Sequence, residues 1–185
     1  MKGKGMLISA SATVALAVLA TGAAISAQDK YTLKVPNGLA FSEFKGYEGW
    51  QPISLSHGTL LAVIVGNPAM VAAYKAGIPG NGKPFPDGAK MAKIHWTPKK
   101  NETAPGQPLV AGALHDVDFM VKDSKRFADS GGWGYAEFEY DAASDAFRPG
   151  TVTDQPPQAN DAKCGFGCHT IVKNQDYVFT EYPKR

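Results

Sequence analysis

The chain has 185 residues, of which 44% are hydrophobic and 19% charged, and its formal net charge at pH 7 is +2. That length suits one domain with its own core. Without a run of basic residues, the composition excludes an electrostatic case for nucleic acid and implies no anionic membrane or strongly charged partner.

In chain order, residues 1–27 read as a secretory signal peptide. Lys2 and Lys4 give a positive start, an uncharged run rich in Ala, Leu and Val follows, and small residues precede the polar Gln28, Asp29 and Lys30. Cleavage after Ala27 is expected. An uncleaved membrane anchor is the other reading, because the apolar run could nearly span a bilayer. The domain proper is residues 28–185, formally neutral once Lys2 and Lys4 are removed, and is expected to be periplasmic.

Residues 59–66 (TLLAVIVG) form a short, branched apolar run that predicts a buried strand. Asn67 and Pro68 stop it, Pro68 opens a helix carrying Met70, Val71 and Tyr74, and Gly77 closes that helix. A Gly- and Pro-rich loop follows over 78–88. Residues 90–96 alternate, with Ala92, Ile94 and Trp96 opposite Met91, Lys93 and His95. Further strands are expected over 110–121 and 134–140, with a short helix over 123–130 capped by Asp123 or Ser124. Residues 99–108 and 148–161 read as surface segments. The expected class is α+β: a mainly antiparallel β-sheet with flanking helices and a C-terminal helix.

Both cysteines lie in one short stretch, Cys164-Gly-Phe-Gly-Cys168-His169. A disulfide there would close a tiny loop and restrict few unfolded conformations. Covalent haem attachment gives the clustering a better reason: two thiols reach the two vinyl groups, and the histidine after the second ligates iron. The spacer has three residues where the usual signature has two. Positions four apart still share a helix face, and attachment through one thioether is the variant this spacing allows. A Cys164–Cys168 disulfide and a zinc site remain the alternatives, although structural zinc wants four ligands and His57, His95 and His115 are scattered.

With these pieces in place, the sequence from about residue 60 onward resembles the cytochrome P460 family of periplasmic c-type haem proteins. The resemblance rests on Phe85, Pro86, Asp87 and Gly88 followed by Lys93, then residues 121–128 (VKDSKRFA) and Trp133. It continues through the aromatic strand ending at Tyr140, the haem motif and residues 176–182 (DYVFTEY). It implies a mainly antiparallel fold, commonly a homodimer, with one haem c per chain held by Cys164, Cys168 and the iron ligand His169. It also implies an open iron face for hydroxylamine or nitric oxide and an external electron acceptor. In the family a lysine cross-links the haem, and the match falls on Lys93; a related branch, cytochrome c′-β, lacks that link.

Three functions follow: an oxidoreductase acting on small nitrogen compounds, a gas-binding protein without turnover, and an electron carrier. The last would use a methionine such as Met70, Met91 or Met120 as sixth ligand, although apolar packing is the ordinary job of each. His95 shares a face with Lys93 and would border the haem pocket or pack on the strand.

Overall fold

The computed structural model describes residues 28–35, 38–150 and 162–185. The expected leader, the surface stretch over 151–161 and the side chain of Cys164 lie outside the described residues.

The frame is a six-stranded antiparallel sheet in which each strand pairs with its neighbour in the chain. The strands are β1 (Gln51–His57), β2 (Leu61–Gly66), β3 (Lys90–Lys100), β4 (Leu109–Lys122), β5 (Trp133–Asp141) and β6 (Ala146–Pro149). Among the described residues two α-helices accompany it, α1 (Pro68–Lys75) between β2 and β3 and α2 (Ala162–His169) near the C-terminus. This is the α+β, mainly antiparallel class that the sequence pattern leads one to expect. Among the described residues no helix is long and apolar enough to cross a membrane.

Local chemistry accounts for most boundaries. The Asn67 side chain accepts the Met70 N–H at 3.0 Å and caps α1, with Pro68 in the first turn, where its missing N–H costs nothing. β3 runs further than its alternation predicts, through Pro98 to Lys100. The register slips between Trp96 and Pro98, and such an irregularity is where a sheet tolerates proline. The helix expected over 123–130 is instead a turn followed by a 3-10 segment, Ala128–Ser130. Asp123 bonds the backbone N–H groups of Lys125 and Arg126 (3.2 and 2.9 Å), an arrangement that favours a turn. Gly131 and Gly132 follow with positive φ.

Alternation gives the sheet two unlike faces. On one, Val65, Ala92, Val117, Phe119 and Phe138 pack against Phe41, Phe44 and Tyr47 from the segment before β1. Phe44 stacks on Phe119 with ring centroids 4.1 Å apart and planes 16° apart. On the other, Ile64, Met91, Met120 and Tyr135 meet Met70 and Tyr74 of α1, Phe85 from the loop and Val178 near the C-terminus. This second core covers only part of its face. The rest forms the floor of a cavity.

Candidate haem site

The cavity, about 700 Å³, lies between the second sheet face and the segment running from α2 to Glu181. That is the size range of cofactor pockets. Strand register orders its floor in rows. Met91, Met120 and Tyr135 are cross-strand partners on β3, β4 and β5, and Lys93, Asp118 and Glu137 form the next row. Beyond them, His95, Asp116 and Glu139 align. The floor therefore grades from apolar to ionisable. Lys93 lines the cavity, on the same sheet face as Met91, which the alternation alone left undecided.

One wall is α2. Gly165 lets the helix lie close on β5, since a Cβ there would sit 3.0 Å from the Tyr135 Cβ and Cγ. Because residues 162–169 form a continuous α-helix, residues 164 and 168 are one turn apart on the same side. Cys168 carries an exposed free thiol at the cavity.

His169 ends α2 and borders the cavity. Its ring sits between Tyr135 and Phe179, with centroids 5.1 and 4.9 Å away. Nδ1 lies 2.6 Å from the carbonyl oxygen of Tyr177. A carbonyl only accepts, so Nδ1 carries the hydrogen and Nε2 is left with the lone pair. Burial holds this imidazole below its ordinary pKa; the Tyr177 carbonyl opposes that, and the nearby charge of Lys93 adds to it. The ring is a neutral, oriented nitrogen donor.

The carboxyls on the floor are perturbed. Burial, then the charges of Asp118 and Asp116, push Glu137 up to about 7. Burial and the Asp116 charge likewise raise Asp118, against the pull of His95 and Lys93. The Asp118 side chain is 44% exposed and faces the cavity. In Asp116 burial works upward too, but hydrogen bonds from His95 and His115 outweigh it and the carboxyl stays below its usual range. His95, Asp116 and Asp118 bring ligating atoms within 4.8 Å of one another. His95 thus belongs to a hydrogen-bonded cluster beyond the Lys93 row.

The cytochrome P460 family model matches residues 44–180. The chain belongs to the cytochrome P460 family. Curated proteins offer no match. Membership in the cytochrome P460 family implies a haem cofactor of c type, and the residues present fit one. A neutral imidazole with a free Nε2 lone pair borders a cavity of suitable size, with the Cys168 thiol beside it. Of the residues singled out in the sequence, Lys93, Cys168 and His169 converge on this cavity. Met91 and Met120 line it as well, whereas Met70 is fully buried in the core under α1. His57 and His115 do not line it.

Sequence reasoning missed Asp118, Glu137 and the Tyr177 carbonyl. The two acids alternate in phase within β4 and β5, but only the pairing register shows that they share a row with Lys93. A backbone carbonyl leaves no mark in a sequence at all.

Proposed function

We propose that this member of the cytochrome P460 family is an exported, periplasmic protein with one haem c per chain. With haem bound, the protein would oxidise hydroxylamine or a similar small nitrogen compound and pass the electrons to an external acceptor. His169 would hold the iron through Nε2, and Cys164 and Cys168 would tether the porphyrin. Lys93 would form the cross-link that the resemblance implies, a reading supported by its position on the cavity floor. Haem, when bound, would supply the redox centre for this chemistry.

The chain's own residues do the rest. Tyr177 fixes the imidazole tautomer through its carbonyl. Met91 and Met120 make the inner floor apolar and buried, which limits water there. Glu137, with its pKa near neutrality, is matched to accepting and releasing protons from a small nitrogen substrate. The observation that carries the oxidative reading is this row of Lys93, Asp118 and Glu137 on the same cavity as His169. Oxidation of an N–H or O–H compound releases protons, and a wholly apolar floor would have nowhere to put them.

The test is the mature protein made in a host with haem-attachment machinery. Denaturing mass reads covalent haem, a red-shifted Soret band reads the Lys93 link, and hydroxylamine-dependent reduction of an added acceptor reads turnover. Colourless protein sinks the haem assignment. Tight nitric oxide binding without turnover replaces oxidation with gas binding, and slow carbon monoxide binding to the reduced form points to an electron carrier. Native mass tests the homodimer that the resemblance implies.

A further inference from the structure

The carbonyl that receives the His169 Nδ1–H belongs to a strained turn. Asp176 (φ 49°) and Tyr177 (φ 63°) are consecutive non-glycine residues in the left-handed region. Such a conformation persists only where surrounding structure enforces it. Here the enforcement is visible. The Lys122 ammonium, at the end of β4, lies 2.7 Å from Asp176 Oδ1, with the two side chains only 6% and 13% exposed. Oδ2 of the same carboxylate accepts the Phe85 N–H at 2.8 Å. Lys122 also donates to the Gly131 carbonyl at 2.9 Å and sits 5.1 Å from the centroid of the Trp133 ring. Gly131 makes room for the turn, because a Cβ there would lie 2.2 Å from the Tyr177 ring.

Two segments distant in sequence, at Lys122 and Phe85, therefore converge on one carboxylate whose next residue presents the acceptor to His169. Neither Lys122 nor Asp176 lines the cavity. A buried ion pair is a poor way simply to gain stability, since desolvation offsets much of the attraction. Orientation is what this one supplies. Were the peptide after Tyr177 to rotate, the Val178 N–H, now bonded to the Gln175 carbonyl, would face the imidazole in place of an acceptor.

We propose that the Lys122–Asp176 ion pair positions the proximal ligand. It holds the Asp176–Tyr177 turn left-handed, which aims the Tyr177 carbonyl at His169 Nδ1 and so sets the tautomer and donor strength of Nε2. The proposal rests on His169 being the iron ligand. Outer-sphere partners of metal-bound histidines make the ring a stronger donor, and losing one typically costs 10-fold or more in metal affinity.

The experiment uses the haem-loaded protein and the variants Asp176→Asn and Asp176→Gly. Asparagine keeps an acceptor for Phe85 and tolerates the left-handed region, and glycine keeps the turn accessible while removing the carboxylate. The readouts are the midpoint potential, the iron–histidine stretching band of the ferrous protein and the melting temperature. The expected result is a downshifted or broadened band and a potential raised by about 59 mV, which is a tenfold loss of ferric preference for one electron. Glycine should exceed asparagine. A lowered melting temperature with band and potential unchanged would overturn the proposal and leave the pair a structural tie. His169→Ala separates the two levels of the argument. If it retains the wild-type band and potential, the ligand assignment itself falls; if it alters them while the Asp176 variants do not, only the positioning role falls.

Discussion

The two faces of the sheet are built from the same strands and do opposite things. One is closed: aromatic rings from the segment before β1 fill it, and Phe41, Phe119 and Phe138 meet with centroids between 4.8 and 5.8 Å. The other is deliberately incomplete, with a partial core under α1 and a floor on which ionisable side chains stand in rows. Because side chains alternate, each residue that strengthens the closed face has neighbours on the open one. Rigidity on one side thus sets the spacing of reactive groups on the other. The closed face is the scaffold, and the open face carries the cavity and its ionisable rows.

The largest expected contrast comes from Phe119→Ala, which should remove about 3–5 kcal/mol from unfolding because a fully buried ring between Phe41, Phe44 and Tyr47 leaves a cavity. Urea denaturation measures it, and a loss below about 1 kcal/mol would mean that the closed face is not the scaffold. On the open face, Lys93→Met should abolish the red shift of the Soret band while changing stability by less than about 1 kcal/mol. An unshifted band in the parent protein would remove the cross-link from the proposal.

Glu137→Gln probes the cost of that open floor. The folded-state pKa of about 7 lies above the ordinary 4.5, so the folded chain binds this proton more tightly than the unfolded chain does. Stability should then fall as pH rises from about 4.5 to 7, by about 1 kcal/mol after allowance for solvent screening, and the glutamine variant should lose that slope. Denaturation midpoints between pH 5 and 8 report it, and an opposite slope in the parent protein would contradict the assigned environment. Smallest of all, Arg148→Ala breaks an ion pair with Glu139 whose side chains are 70% and 39% exposed, and the midpoint should not move measurably.

How much of this was legible in sequence differs between the same two faces. β2, the helix opening at Pro68 and the cores of β3, β4 and β5 follow from apolar runs and alternation, because buried strands carry that signal strongly. β1 does not: Ile53 is its one buried residue and Pro52 interrupts it, as suits an edge strand. β6 spans four residues, too few for a period to show. In the site, the Cys164–His169 stretch announced its chemistry through residue type and adjacency. Alternation placed Lys93 opposite Ala92 but could not say which side held the cavity. The acids of the floor needed the register, and the histidine's acceptor needed the backbone. Sequence reveals side chains that act alone better than it reveals those that act by alignment.

The strand order has a consequence for how the molecule is assembled. Since each strand pairs with the one before it, the sheet's pairings are between neighbours in the chain, the longest connection being residues 67–89 through α1. α2 comes after all six strands and touches the sheet chiefly at β5. The sheet can therefore be complete before residues 162–180 dock on it, and under the proposed function haem attachment would fall in that interval. Pulsed hydrogen exchange during refolding should find the amides of β2–β5 protected before those of residues 162–180, and simultaneous protection would show instead that tail and platform fold as one.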